Sequence, residues 1–349
     1  MIKASVIGAT GYAGEELVRI LMRHPAVEVV SLASKSFAGQ KYADIYPNYR
    51  NLTDLELVVP DLEQAAEISD VVFLALPHGI AAGQVTPEIL EKTCIIDLGA
   101  DYRLKDPYIY TQWYKLEHKS PELLKQAVYG LPELHREDIR DARLIGNPGC
   151  YTTCSILALA PLYKNGLIDL DSVVVDAASG VTGAGRGLLQ GSMFCEADES
   201  FKAYKVASHR HTPEIEQELG LQAGEDVTIN FTPHLIPMNR GILATCYAKL
   251  KTPADETTQQ KIEDLYKEFY DGEFFVRFTG SVQPETKYVK SSNFVDIGLV
   301  VDPRTNRVIV TSAIDNLMKG AAGQAVQNMN LMFGIDEKSG IDFIPDFPV

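Results

Sequence analysis

The sequence predicts an α/β protein of two domains. Three observations carry that reading. The chain opens on a strand–turn–helix–strand unit, with Gly8-Ala9-Thr10-Gly11-Tyr12-Ala13-Gly14 as the turn at its first crossover. A second strand, a glycine turn and a cysteine at a helix start follow near residue 150. Beyond residue 226 the pattern alternates apolar and polar at hairpin-like spacing, which reads as a mainly antiparallel sheet. The length of 349 residues is enough for two such domains, and 46% hydrophobic content is enough to give each a core.

The first strand spans 2–7, the first helix 15–23 and the second strand 27–33. Glycines at 8, 11 and 14 let the backbone approach a pyrophosphate at a helix N-terminus, with Thr10 and Tyr12 beside it. The second strand ends in Ala33-Ser34-Lys35-Ser36. An NAD site usually places Asp or Glu there for the ribose hydroxyls. Here no carboxylate repels a 2′-phosphate, and two hydroxyls and an ammonium are available to bind one. That points to NADP, against the plainer alternative of a solvated polar loop.

An apolar run over 71–76 reads as a buried parallel strand. It ends in Pro77-His78-Gly79, where open α/β sheets bind ligands, so Pro77 and His78 belong to a cofactor site or to an ordinary loop. The strand over 94–98 leads to Arg103, whose guanidinium matches phosphate oxygens, with a surface salt bridge as the competing role. Residues 104–140 are polar and read as an excursion.

The chain is organised around Gly146-Asn147-Pro148-Gly149-Cys150-Tyr151. A short strand over 143–145 enters a tight turn, and 151–164 carries apolar residues at helical spacing. Cys150 therefore stands at a helix N-terminus, where unpartnered N–H groups favour a thiolate. The alternative is a buried structural thiol.

In the second half a strand over 172–178 runs into Ser179-Gly180-Val181-Thr182-Gly183-Ala184-Gly185-Arg186-Gly187, a density of glycine that suits close approach to a ligand or a mobile loop. His209-Arg210-His211-Thr212-Pro213-Glu214 reads as a helix start with two histidines for proton transfer and an arginine for an anion. Strands follow over 226–232, 241–250, 294–301 and 308–313, with an amphipathic helix over 256–270. Asn316 lies in a stretch, 315–324, whose small residues open a last helix running to 333 and suit close packing on a cofactor or on the first domain.

A net charge of −15 disfavours nucleic acid as a partner. Five widely spaced cysteines fit neither a disulfide framework nor a zinc knuckle, so no metal is expected. No apolar run approaches the ~20 residues that span a bilayer, and no leader pattern opens the chain. The expected setting is cytoplasmic and reducing.

These motifs, with Pro233-His234-Leu235-Ile236-Pro237-Met238-Asn239-Arg240-Gly241 and Asn316-Leu317-Met318-Lys319-Gly320, resemble the N-acetyl-gamma-glutamyl-phosphate reductase family along essentially the whole chain. The resemblance implies a Rossmann-like dinucleotide-binding domain over 1–148, completed by a C-terminal helical segment, 315–349. It implies an α+β catalytic and oligomerisation domain over 149–314, of the aspartate-semialdehyde-dehydrogenase / glyceraldehyde-3-phosphate-dehydrogenase C-terminal type. It also implies NADPH-dependent reduction of a small acyl phosphate through a Cys150 thioester, in a homo-oligomer. His211 is the first choice for acid–base work and His209 the second. Arg103, Arg210 and Arg240, with Asn147, are the implied substrate residues, and Gly183 and Asn316 join the implied cofactor site. The rivals are the homologous N-acetylaminoadipyl-phosphate reductase of lysine biosynthesis, one methylene away in substrate, and a non-catalytic NADP-sensing protein.

Overall fold

Seven parallel strands build the first half of the protein, a computed structural model of which describes residues 1–348. By contact the chain divides into Met1–Pro148 with Ala321–Asp342, and Gly149–Gly320 with the chain end from Phe343. The first unit contains β1 (Ile2–Ile7), α1 (Tyr12–Leu21), β2 (Val27–Ala33), α2 (Tyr42–Ile45), β3 (Leu57–Val58), α3 (Leu62–Ile68), β4 (Val71–Leu74), α4 (Pro87–Lys92), β5 (Cys94–Asp97), α5 (Pro107–Tyr114), β6 (Val128–Tyr129), α6 (Pro132–Arg140) and β7 (Leu144–Gly146). The sheet order is β3-β2-β1-β4-β5-β7-β6, parallel at every pairing. β4 and β5 are buried throughout, as a parallel strand covered on both faces must be. β1 lies between β2 and β4, so the strand order reverses around its carboxyl end, where such sheets bind ligands.

The excursion over 104–140 is more regular than its composition suggested. It supplies α5, α6 and the edge strand β6, whose Val128 and Tyr129 pair with Ile145 and Gly146.

The second unit contains α7 (Cys150–Lys164), β8 (Val174–Gly180), α8 (Phe194–Ala197), β9 (Lys202–Ala203), α9 (Thr212–Ala223), β10 (Asn230–Ile236), β11 (Ile242–Lys249), α10 (Thr258–Phe269), β12 (Val276–Phe278), β13 (Val295–Asp302) and β14 (Arg307–Ile314). Its sheet order is β12-β13-β14-β11-β8-β10-β9. Antiparallel pairs dominate, but β10 runs parallel to β8 and β12 parallel to β13. The strand expected over 226–232 lies four residues later. Its limits are set by pairing with β8, from Val174 to Gly180, and not by its own alternation.

α7 is buried at every position from 151 to 163, which makes it a core helix instead of a surface one. It contains Pro161, which cannot donate to the carbonyl of Leu157. Tyr270 Oη donates to that carbonyl at 2.5 Å, and Tyr266 Oη to the next one, of Ala158, at 2.5 Å. Two tyrosines from α10 and its end thus satisfy backbone that the proline disturbs.

The last helix begins later than its small residues suggested. Asp315 is fully buried, and its Oδ1 accepts the N–H groups of Leu317 and Met318. That side-chain turn displaces the helical start, and a π-helical stretch, Met318–Ala322, precedes α11 (Gly323–Met332). The first unit accordingly takes back Ala321–Asp342, and residues 315–320 stay with the second. In the first unit α11 is fixed by Gln324 Nε2 and Asn328 Nδ2, both donating to the carbonyl of Gly130. Among the described residues no helix is long and apolar enough to cross a membrane.

Candidate functional site

In the first unit the glycine turn has the shape of a phosphate cradle. Gly8 holds φ +90°, and a Cβ there would lie 2.2 Å from the carbonyl oxygen of Ala75. A Cβ on Gly14 would lie 2.2 Å from the carbonyl oxygen of Gly8, so this glycine lets α1 pack on the turn. Over Gly11 the nearest atom to such a Cβ is 3.7 Å away, which leaves room for a ligand at the N-cap of α1. The first helical bond is Glu15 N–H to Gly11 O, so the preceding N–H groups have no helical acceptor. The residues present fit a dinucleotide pyrophosphate.

The turn is braced by residues the sequence reading passed over. Tyr42 Oη donates to Ala9 O (3.1 Å), Tyr46 Oη to Thr10 O (2.9 Å) and Tyr49 Oη to Glu15 Oε1 (2.9 Å). Tyr42 opens the short helix α2, Tyr46 caps it with non-helical backbone, and Tyr49 ends the 3-10 turn begun by Pro47, so no single helical periodicity marks the three. Thr10 Oγ1 and Ser34 Oγ are 2.7 Å apart, which ties the end of β2 to the turn. Ser34 is buried, while Lys35, Ser36 and the solvent-facing Tyr12 are exposed.

Asp101 shapes the loop after β4. Its carboxylate accepts from Gly79 N–H (2.6 Å), Ala82 N–H (2.9 Å) and Tyr110 Oη (2.8 Å). Pro77 is exposed, and His78 packs its ring edge against Tyr114. Burial, then the charge of Asp101, pushes the Asp97 carboxyl up to about 7. Arg103 is 7% exposed and donates to Asn147 O (2.7 Å) and Leu98 O (2.8 Å). Asn147 Nδ2 donates to Ala321 O, and its Oδ1 accepts from Asn328 Nδ2. Both expected substrate residues therefore also hold backbone in place.

In the second unit Cys150 is the first residue of α7, half-buried, with Gly149 as N-cap. The first helical bond is Thr153 N–H to Gly149 O. Burial pushes the other candidate thiols the wrong way: Cys154 up to about 12, with Cys94 and Cys246 also raised. Cys195 is exposed in the short helix α8. Cys150 combines access with a helix N-terminus.

His209, His211, Tyr151, Tyr204 and Phe231 form an aromatic cluster beside it, with the His209 and His211 rings 4.7 Å apart. His209 is buried, and its pKa is lowered to about 2, first by desolvation and then by His211, Lys205 and Arg210. Its Nδ1 accepts the backbone N–H of His211 at 3.2 Å, so a neutral ring carries its proton on Nε2. His211 is the N-cap of α9 and half-buried. Lys205 and Ala207, with left-handed φ of 47° and 53°, shape the turn that delivers His209. Tyr204 Oη donates to Tyr151 Oη (3.3 Å), which donates to His234 O (2.9 Å). His234 Nδ1 lies 2.9 Å from Asp176. Among the described residues no cluster of His, Cys, Asp or Glu could hold a metal ion.

Arg210 is half-buried beside His209. Arg240 Nε lies 2.9 Å from the buried Asp315. Gly183 is exposed in the turn Val181–Ala184. Asn316 is buried, its Oδ1 accepting from Gly241 N–H and its Nδ2 donating to Thr182 Oγ1. Glu214 and Gly320, neither singled out for a site from sequence, both touch the start of α7. Glu214 was hidden because Thr-Pro-Glu at a helix start has a sufficient explanation in capping.

Residues 3–142 match the family model of the semialdehyde dehydrogenase NAD binding domain, and residues 150–316 that of the semialdehyde dehydrogenase dimerisation domain. The N-acetyl-gamma-glutamyl-phosphate reductase of Lachnoclostridium phytofermentans is 52% identical over 349 residues, covering 100% of both chains. That of Pelotomaculum thermopropionicum is 56% identical over 344 residues, covering 97% of both. Among solved structures, aspartate semialdehyde dehydrogenase II of Vibrio cholerae, complexed with ASA, gives a TM-score of 0.70 at 17% identity, covering 96% of this chain and 98% of that one. The Candida albicans aspartate semialdehyde dehydrogenase with NADP gives 0.69 at 15% identity, covering 95% and 99%. The semialdehyde-dehydrogenase fold is thus shared with distant enzymes, and by full-length identity above one half this chain belongs to the N-acetyl-gamma-glutamyl-phosphate reductase family.

Proposed function

We propose that this protein reduces N-acetyl-L-glutamyl 5-phosphate to N-acetyl-L-glutamate 5-semialdehyde with NADPH, in arginine biosynthesis, through a thioester on Cys150. The observation that carries the reading is Cys150 itself: a half-buried thiol on the first residue of a core helix, in a chain that shares 52% of its residues with a named reductase from end to end.

The Cys150 thiolate attacks the γ-carbonyl carbon of the acyl phosphate. The bond to the phosphate oxygen breaks, phosphate leaves with the electron pair, and a thioester remains. Gly8, Gly11 and Gly14 would hold the pyrophosphate of the cofactor, which when bound would supply a hydride to the thioester carbon. His211 gives a proton to the resulting oxyanion. It takes the proton back as the carbon–sulfur bond breaks and sulfur leaves as thiolate. An imidazole is the side chain suited to both transfers at neutral pH. His209, held neutral to about pH 2, is poorly placed for that cycle and orients the His211 backbone instead. Arg210, half-buried beside His209, is one candidate partner for a substrate anion. Arg240, oriented by Asp315, and Arg103, with Asn147 beside it, are the others.

Lys35 and Ser36, exposed at the end of β2 with no carboxylate among them, support NADP over NAD. The dimerisation-domain match over 150–316 supports a homo-oligomer built on the second unit. A thiol nucleophile fits a reducing cytoplasm.

The test is the reverse reaction: N-acetylglutamate semialdehyde, phosphate and NADP, followed by NADPH absorbance. The unmodified enzyme should give a steady rise and Cys150→Ser none, while both still bind NADPH. Turnover in Cys150→Ser near that of the unmodified enzyme would sink the mechanism. The aminoadipyl homologue, run alongside, should be slower by the ~1–3 kcal/mol that one methylene is worth in a pocket.

A further inference from the structure

Glu214 is 1% exposed, and its Oε1 accepts the N–H of Gly149 at 2.9 Å and lies 2.9 Å from Thr152 Oγ1. Gly149 is the N-cap of α7, and Thr152 is two residues past Cys150. Glu214 is also the third residue of α9, whose N-cap is His211. One carboxylate therefore straps the first turn of the nucleophile's helix to the first turn of the helix that presents the imidazole. The two residues it grips flank Cys150 on either side, and its own backbone is three residues from His211.

Capping alone does not explain a charge here. A buried carboxylate at the positive end of a helix is stabilised by the helix dipole and by charge-assisted hydrogen bonds. Yet the same anion opposes formation of a thiolate one residue away. An amide would accept the Gly149 N–H without that cost. The groups facing this corner are His211 and His209, with Lys205 and Arg210 acting on His209, and Tyr151 and Tyr204, which feel the charge of Cys150. The charge of Glu214 raises His209 in opposition to those cations.

We propose that Glu214 is a positioning residue, whose carboxylate fixes the Cys150 thiol and the His211 imidazole in register. The proposal rests on Cys150 as nucleophile. It makes thiol reactivity and turnover move in opposite directions, which a merely structural residue would not do.

The experiment measures kcat, KM and the rate of Cys150 alkylation by iodoacetamide against pH, in holoenzyme. Glu214→Gln should lower kcat roughly 30–100-fold with KM within about threefold, the range of a misplaced reacting pair. Its alkylation midpoint should move to lower pH by roughly 0.5–1 unit, because an anion beside the thiol is gone. Glu214→Asp keeps the charge on a shorter arm, so its midpoint should stay in place while kcat recovers only in part. A Glu214→Gln enzyme with kcat within twofold of the original, or with a midpoint moved upward, overturns the proposal. If Glu214→Gln does not accumulate, Thr152→Val decides: it should lower kcat about 3–10-fold with the midpoint unmoved, as expected for half of the strap removed, and unchanged kcat overturns the proposal. An active Cys150→Ser enzyme overturns the thioester reading itself, whatever Glu214 does.

Discussion

Gly320 faces Cys150 so closely that a Cβ at position 320 would stand 2.8 Å from the cysteine Cβ and 3.2 Å from its Cα. The contact falls in the π-helical turn Met318–Ala322, a form that concentrates at functional sites. Gly320→Ala must push the first residue of α7 aside. Turnover should fall at least ~10²-fold, as for a reacting atom displaced by about 1 Å, with stability lowered by about 1–3 kcal/mol from overpacking. Steady-state rates and a denaturant melt measure the two, and a fully active Gly320→Ala enzyme would show that Cys150 does not need its present position.

The two histidines should separate cleanly. His211→Asn should lower kcat ~10²–10⁴-fold, the usual range for losing a general acid–base. His209→Asn should have a smaller effect, because that ring is already held neutral by burial and neighbouring cations. Single-turnover rates decide the assignment; a larger loss at 209 reverses it.

Cofactor choice should follow the end of β2. Ser36→Asp places a carboxylate where a 2′-phosphate would bind and should move the ratio of kcat/KM for NADPH over NADH towards NADH by at least ~10-fold, the worth of about 1.4 kcal/mol. Equal efficiency with both cofactors in the unmodified enzyme would refute the NADP assignment.

Asp97 gives a pH dependence of known sign. Its folded pKa is raised to about 7, whereas an unfolded aspartate titrates near ~3.9. Between those values the folded protein holds a proton that the unfolded chain has released. This contribution to stability is therefore full below about pH 4 and lost as pH rises through about 7. Asp97→Asn keeps the uncharged form at every pH. Relative to the original protein, its Tm should improve from pH 5 to pH 8, and a constant difference would mean that Asp97 is not the titrating group.

Tyr270→Phe removes the donor to Leu157 O, the carbonyl that Pro161 leaves without its helical partner. Chemical denaturation should show a loss of about 1–3 kcal/mol, the cost of an unsatisfied buried carbonyl. Pro161→Ala in the same background should restore part of it by returning the N–H.

The glycine turn, Cys150 and the His-Arg-His stretch were legible from sequence because each couples an unusual local residue pattern to an element boundary. The strand Asn230–Ile236 was misplaced because its limits are fixed by its neighbour β8. The late start of the last helix was invisible because it depends on where the Asp315 carboxylate turns. Arg103 was chosen as an anion clamp for its guanidinium, and Asn147 as a substrate residue through the family resemblance. Of the backbone carbonyls that they hold, those of Asn147 and Ala321 come from 44 and 174 residues away and leave no mark on the local sequence. Glu214 and Gly320 act through contacts across 62 or more residues, beyond the reach of any local pattern.

The tyrosines at 42, 46 and 49 have a thermodynamic corollary. By grasping the carbonyls of Ala9 and Thr10 they fix the tilt of the peptide planes in the glycine turn, and so the direction of the N–H groups on the other side of those planes. A glycine-rich segment would otherwise lose more conformational entropy on ordering than any other. Here that loss is met during folding, so a dinucleotide meets a turn already immobile, and its binding should release little heat from loop ordering. Tyr46→Phe, which loosens one plane, should leave the bound state alone and weaken association through the entropy term.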